Sequence, residues 1–183
     1  MNQSAHPMSL AVPPEASDHM RGSLHAPVTV IEYGDFECPS CKMAEQTSTL
    51  LLQRFPGSVR FIFRHFPLED AHPHALAAAE VSEAAAAQGR FWEMHDALFQ
   101  HQAHLKEKDL LRYAGEVGLD LVRYAAEMSD HIYLQRVREE MEGGRRSHIR
   151  ATPTFFVNGV VQDVSFGLQS LHDAVAAAVH RTR

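Results

Sequence analysis

Hydrophobic and polar positions change their period several times along the chain. Val28-Thr29-Val30-Ile31-Glu32-Tyr33 is apolar and β-branched apart from one acid, which predicts a buried strand. Gly34 and Asp35 break it. From Pro39 onward, Cys41, Ala44, Ser48, Leu51 and Phe55 step by three or four and share one helix face. Pro56-Gly57 stops that helix. Val59–His65 is the next strand, so residues 28–65 read as a βαβ unit with parallel strands.

The pattern is then helical from Ala71 to Ile149, with no strand signal. Predicted helices cover Ala75–Ala87, the Phe91–Phe99 region, Leu110–Val117, Asp120–Met128 and Ile132–Met141. Gly143-Gly144 is expected to weaken the end of the last one. After Thr152-Pro153, Thr154–Val157, Asn158-Gly159 and Val160–Asp163 form a hairpin signature, because Asn and Gly tolerate the positive φ of a type I′ turn. A final helix carries Leu168, Leu171, Val175 and Val179 on one face. The order is βαβ, helical block, ββα.

Composition narrows the function classes. The chain has 183 residues, 45% apolar and 22% charged, an ordinary globular balance. Seventeen Lys+Arg face 23 Asp+Glu, a net charge of −6, so there is no basic footprint for nucleic acid. No apolar run approaches the roughly 18–20 residues of a membrane span. The Pro- and Ser-containing stretch up to Arg21 has no period, and residues 1–25 read as a flexible leader without an export signal. As written, the chain is expected in the cytoplasm, or in the periplasm if it is a processed form.

Candidate chemistry concentrates in Cys38-Pro39-Ser40-Cys41, where a strand hands over to a helix. The only two cysteines of the chain are here. Pro39 suits the first helical position, so Cys38 meets free N–H groups and the positive end of the helix dipole, which favour a thiolate. Cys41 lies one turn on, on the apolar face, at a spacing that suits a disulfide. Cys38 is thus expected to attack, and Cys41 to resolve the mixed disulfide. Glu37 opposes ionisation of Cys38 and Lys42 weakly favours it. Glu32, the single acid of its strand, is expected to exchange a proton with Cys41.

The frame and its motifs resemble the DsbA-like branch of the thioredoxin superfamily. The matching segments are Glu32–Cys41, His65-Phe66-Pro67-Leu68, Phe91-Trp92-Glu93-Met94-His95 and Thr152–Gly159. The resemblance implies an α/β, thioredoxin-like fold over residues 26–183, with a helical insertion at about 69–148 acting as a lid. It implies a protein-disulfide oxidoreductase, with a cis Thr152-Pro153 peptide beside the cysteines. Thr152 and Pro153, with Pro39 and Ser40, would shape a substrate surface. Such domains occur as bacterial thiol-disulfide oxidoreductases and also appended to sodium/proton antiporters. Cysteine-containing proteins would be substrates, a separate redox partner would reset the pair, and no external cofactor is needed. A monomer is expected.

Three departures stand out. Ser40 brings no imidazolium where DsbA has His, so Cys38 is expected to be less acidic than in DsbA. Residue 152 is Thr where DsbA has Val, a choice common among reductases and isomerases. His148 and Ala151 occupy loop positions where such chains usually have Gly, and His148 reads as an exposed loop residue. The alternative to redox chemistry is a zinc or copper module using the cysteine pair with His ligands. It needs some of His72, His74, His101 or His104 brought to Cys38 by the fold. Phe91, Trp92 and Phe99 read as core, and Phe155 and Phe156 as facing opposite sides of the sheet.

Overall fold

The structure, a computed structural model, describes residues 9–182. Strands β1 (His19–Gly22), β2 (Val28–Gly34), β3 (Val59–His65), β4 (Thr154–Val157) and β5 (Val160–Gln162) form one sheet in the order β1-β3-β2-β4-β5. Strand β2 runs parallel to β3 and antiparallel to β4. Helix α1 (Pro39–Arg54) connects β2 to β3. Five helices separate β3 from β4: α2 (Ala75–Ala86), α3 (Phe91–Gln100), α4 (Glu107–Glu116), α5 (Leu121–Ser129) and α6 (Leu134–Arg146). Helix α7 (Gln169–Arg181) closes the chain. This is the thioredoxin-like α/β fold with inserted helices that the family resemblance implied.

Alternation along the strands divides the core and aims the site. Val28, Val30, Phe61, Phe63 and Phe155 pack on one face with Cys41, Ala44 and Leu51 of α1. Ile31, Tyr33, Ile62 and Phe156 pack on the other with Val137 and Met141 of α6. Phe155 and Phe156 do face opposite sides. With a period of two, Glu32 falls on the face of Val28 and Val30, the side that carries the cysteines. The hairpin turn has φ of 47° at Asn158 and 81° at Gly159, as a type I′ turn needs.

The leader reading of residues 1–25 is corrected for residues 9–25; its remainder, 1–8, lies outside the described residues. Strand β1 adds antiparallel to β3, with Met20 opposite Ile62. Arg64 on β3 is the physical reason that the chain before it is held. It is buried, so every N–H it carries needs an acceptor. Asp18 supplies a two-pronged partner at 2.8 and 2.9 Å, and the carbonyls of Val12 and Pro13 and the Tyr33 hydroxyl accept the rest. None of these contacts has a sequence period.

Gly143-Gly144 does not weaken α6, which runs on to Arg146. The glycines let the helix approach the sheet. A Cβ on Gly144 would sit 2.6 Å from Phe66 Cδ2 and 3.2 Å from Tyr33 Cδ1. Beyond the helix, His148 takes φ of 61°. Its N–H bonds to Arg145 O at 2.9 Å and that of Ile149 to Gly144 O at 3.0 Å, the paired closure of a Schellman motif with His where Gly is usual. The Gly144→Ala variant should lose about 1–3 kcal/mol of stability, read as a lower urea midpoint. An unchanged midpoint would mean that α6 has room to move off the sheet.

Candidate active site

The cysteines sit at the edge of α1 because the chain must turn from β2 into the helix there. Cys38 is the N-cap, with extended φ and ψ of −78° and 120°, and Pro39 opens the helix. Its N–H donates to Asp35 O at 3.1 Å, closing the turn. Cys38 is 6% exposed and Cys41 fully buried; neither is bridged. The thiol of Cys38 donates to Thr152 O at 3.3 Å, so the Thr152-Pro153 loop, whose peptide is cis, lies directly on the sulfur. Pro39 and Ser40 are exposed beside it and Pro153 is half-buried.

The two sulfurs ionise in opposite directions. The Cys38 thiol is brought down to about 5, first by the hydrogen bond from Cys41, against a desolvation cost, then by Thr152 and the backbone of Cys41 and Ser40. The Thr152 hydroxyl is buried without a partner beside the protonated sulfur, and so is free to donate once the thiolate forms. Cys41 is pushed well above its ordinary value, first by burial, then by its bond to Cys38 and the charge of Glu32. At neutral pH this is one thiolate donated to by one thiol. The donors that lower Cys38 come from Cys41, Thr152 and the helix end rather than from an imidazolium at position 40, and about 5 is less acidic than the roughly 3.5 of DsbA.

Glu32 lies in β2 opposite Phe63 on one side and Phe155 on the other. It is 2% exposed, and its Oε1 has no hydrogen-bond partner. Burial, then the negative charges of Cys38 and Glu45, raise it to about 8. The structure therefore holds a proton near neutrality in a dry position whose charge reaches Cys41.

Asp35, Glu37, His72 and Gln102 support the site through contacts that the sequence did not indicate. Asp35 Oδ2 accepts from Leu68 N–H at 2.8 Å and pairs with His72 Nδ1 at 2.7 Å. Glu37 Oε2 accepts from His74 N–H at 2.6 Å. The segment 72–74 is thus pinned to both residues that lead into Cys38. Burial alone would lower His72, but the bond and charge of Asp35, joined by Cys38 and Glu37, outweigh it and raise it. Gln102 Nε2 donates to Phe36 O at 2.9 Å and Cys38 O at 2.8 Å. An Asp after a strand is an ordinary turn residue; a partner 37 positions away is not legible locally.

Among the described residues, no group of three converging metal-ligand side chains includes a cysteine. His72 and His74 turn to Asp35 and Glu37, and His101 stacks on Tyr113. The fold does not assemble a His set on the Cys38–Cys41 pair.

With this geometry, comparison with known proteins is informative. A family profile described as Thioredoxin matches residues 15–177. The chain belongs to the thioredoxin family. Its fold is the DsbA-like form. BdbD from Bacillus subtilis, in its oxidised state, superposes with a TM-score of 0.82 at 23% identity, over 94% of this chain and 98% of that one. A thioredoxin-like oxidoreductase from Silicibacter pomeroyi gives 0.79 at 27% identity, over 90% and 93%. The α-DsbA1 protein of Wolbachia pipientis gives 0.76 at 20%, over 92% and 94%. In sequence, the chain is 48% identical over 166 residues to a Na(+)/H(+) antiporter NhaA 1 of Salinispora arenicola, covering 91% of this chain and 25% of the antiporter. It is 37% identical over 178 residues to NhaA of Herminiimonas arsenicoxydans, covering 97% and 28%. The chain spans about a quarter of the length of these curated relatives.

Thiolate absorbance of the reduced protein should rise with a midpoint near pH 5, one sulfur per chain, with Cys41 silent well beyond pH 9. His72→Gln keeps a donor for Asp35 but no charge, and should move that midpoint upward. Thr152→Val should do the same by removing the hydroxyl. A midpoint near 9 in the parent chain would show that the helix end and Thr152 do not act on Cys38 as described.

Proposed function

We propose that the protein is a thiol-disulfide oxidoreductase that exchanges disulfides with cysteine-containing proteins through Cys38 and Cys41. One observation carries this reading: of two sulfurs one helical turn apart, Cys38 is an acidic thiol that lies on the Thr152-Pro153 loop, and Cys41 is a fully buried thiol held protonated. A metal-holding pair needs two thiolates and further ligands; exchange needs the asymmetry seen here.

In the oxidising direction, a substrate thiolate attacks Cys38 Sγ of the Cys38–Cys41 disulfide. The S–S bond breaks and Cys41 leaves as a thiolate, which takes a proton from Glu32. A second substrate thiolate then attacks the substrate sulfur of the mixed disulfide and expels the Cys38 thiolate. The substrate leaves oxidised and the enzyme holds both electrons. In reverse, the Cys38 thiolate attacks a substrate disulfide and expels one substrate thiolate, to which Glu32 can release its own proton through water. Glu32 then accepts the Cys41 proton, and Cys41 attacks Cys38 Sγ, breaking the mixed disulfide and expelling the second substrate thiolate. The substrate chain lies along the Thr152-Pro153 backbone, with Pro39 and Ser40 on its other side. Only sulfurs and one proton carrier take part, so exchange itself calls for no cofactor. A second redox protein must reset the pair.

The direction follows from the acidity of Cys38. A leaving or resting thiolate near 5 is about two units below neutral pH, and each unit favours the reduced pair by about 1.4 kcal/mol, or about 30 mV. The disulfide is therefore a stronger oxidant than thioredoxin's, at about −270 mV. The oxidising direction is thus the one we propose among oxidation, reduction and isomerisation. An oxidant is useful where thiols are not kept reduced, which favours the periplasmic reading of location. No described helix is long and apolar enough to cross a membrane. The cation exchange named for the longer relatives is not proposed for this chain.

Equilibration in glutathione buffers should give a potential more positive than about −240 mV; a thioredoxin-like value would overturn the oxidant assignment. Cys38→Ser should abolish exchange, and Cys41→Ser should accumulate mixed disulfides. Exchange by the Cys38→Ser protein would end the proposal.

Glu32 makes a separate, pH-dependent prediction. In the folded protein it keeps its proton up to about 8, whereas the unfolded chain releases it near 4.5. Its contribution to stability is thus complete below 4.5 and is lost as pH rises toward 8. Glu32→Gln should leave the reduced protein's stability unchanged at pH 4 and raise it at pH 8, while slowing Cys41-dependent resolution of mixed disulfides. Equal stability of the two proteins at pH 8 would place the Glu32 carboxylate in contact with water.

A further inference from the structure

Beside Phe36, two imidazoles and a carboxylate converge between β1, β3 and α2. His19 Nε2 lies 2.6 Å, and His65 Nε2 2.8 Å, from the same oxygen, Glu83 Oε1. All three atoms lie within 4.8 Å of one another. His65 and Glu83 are buried and His19 is partly covered. The walls are aromatic: the His19 ring stacks on Phe91 with centroids 3.5 Å apart, and Phe36 and Phe63 flank His65.

The remaining neighbours set the charge. Arg136 Nε lies 2.7 Å from the other Glu83 oxygen, Oε2. Its Nη2 lies 3.3 Å from Glu140 Oε1 and 3.4 Å from His19 Nε2. Glu140 Oε2 accepts from the His65 N–H at 2.6 Å. Ser82 Oγ is 3.4 Å from His65 Nε2. Two carboxylates thus face one guanidinium in a largely dry space, and two imidazole nitrogens point at the oxygen that the guanidinium leaves free. With both imidazoles neutral and both carboxyls ionised, the formal charges sum to −1, and the three convergent atoms are of the kinds that ligate a transition metal.

We propose that His19 Nε2, His65 Nε2 and Glu83 Oε1 form a binding site for a divalent transition-metal ion, zinc in particular. Two imidazoles and one carboxylate are a zinc donor set, with a water completing four-coordination. Donors about 2.0–2.2 Å from a tetrahedral ion stand about 3.3 Å apart, so from 2.6 and 2.8 Å His19 and His65 must open from Glu83 by about 0.7 and about 0.5 Å. Imidazole binds metal in its neutral form, so each Nε2 proton moves to Nδ1 or to water as the ion enters. Arg136 holds Oε2 and keeps Glu83 a one-oxygen ligand, the outer support that metal carboxylates usually have. Arg136 is also the half-exposed side of the cluster, and its Nη2 must swing away from His19 to admit the ion. The site contains neither cysteine and does not depend on the redox reading. Its effect is to tie the edge strand β1 to β3 and to the first helix of the insertion.

The test uses the full chain with Cys38 and Cys41 both replaced by serine, freed of metal with chelator and titrated with cobalt(II). The expected result is one cobalt per chain, with visible bands of nitrogen and oxygen ligation and no thiolate band. Zinc should displace the cobalt, and the unfolding temperature should rise with metal concentration. His19→Gln on the same background separates a metal site from a hydrogen-bonded cluster. The amide can still donate to Glu83 but supplies no imidazole. Its metal-free unfolding temperature should stay near the parent's, while cobalt affinity falls by more than about 100-fold. No cobalt spectrum in the parent, or one unchanged in His19→Gln, would overturn the proposal; the latter would assign binding to surface histidines.

Discussion

Two sulfurs this close cannot both ionise, and the rest of the site follows from which one does. The helix end decides it. Cys38 caps α1 and meets unpaired N–H groups and the positive end of the dipole. Cys41, one turn inward on the buried face, meets none of that and stays a thiol. A single turn of helix across a boundary between backbone donors and hydrocarbon separates a nucleophile from a proton donor. Pro39 makes that boundary sharp, because it starts the helix at a fixed φ without wasting an N–H.

Keeping the boundary in place is the work of distant parts of the chain. The turn from Asp35 to Cys38 has little regular structure of its own. It is held from outside by the Leu68 and His74 amides, the His72 ring and the Gln102 side chain. All four belong to the segment between β3 and β4. The inserted helices are therefore more than a cover: their ends fix the backbone on which the sulfurs sit. On the opposite face, Arg64 does the same for the sheet. Its five donors gather Asp18, Val12, Pro13 and Tyr33 and so bring the N-terminal stretch against β3.

What was legible in the sequence was whatever has a period or a local rule. Alternation along β2 and β4 placed Glu32 toward α1 and sent Phe155 and Phe156 to opposite faces. Pro-Gly, Asn-Gly and the cysteine spacing marked a helix end, a turn and a site. What was not legible depends on partners far apart in the chain. Asp35 meets His72, and Arg64 meets Asp18 and the segment before it, through side chains with no period. Gly144 was misread because helix propensity is a local quantity, whereas its role is contact with Phe66 and Tyr33. His148 shows the converse: its positive φ closes α6, a position that tolerates a non-glycine residue only because the paired hydrogen bonds hold it.

Electrostatic repulsion joins Glu32 to the sulfurs. Among Cys38, Cys41 and Glu32, the reduced site carries its negative charge on the Cys38 thiolate, and that charge is one of the causes that keep Glu32 protonated. When Cys38 is consumed in a mixed disulfide, that charge leaves, and Glu32 becomes easier to ionise. This is the moment at which Cys41 must lose its proton to resolve the intermediate. The carboxyl is thus brought into its proton-accepting form by the step that creates the need for an acceptor. When the disulfide reopens and Cys38 recovers its charge, Glu32 is again driven to hold a proton. The site loses one negative charge with the expelled substrate thiolate before Glu32 takes one up, and a dry core that disfavours two charges at once enforces that order.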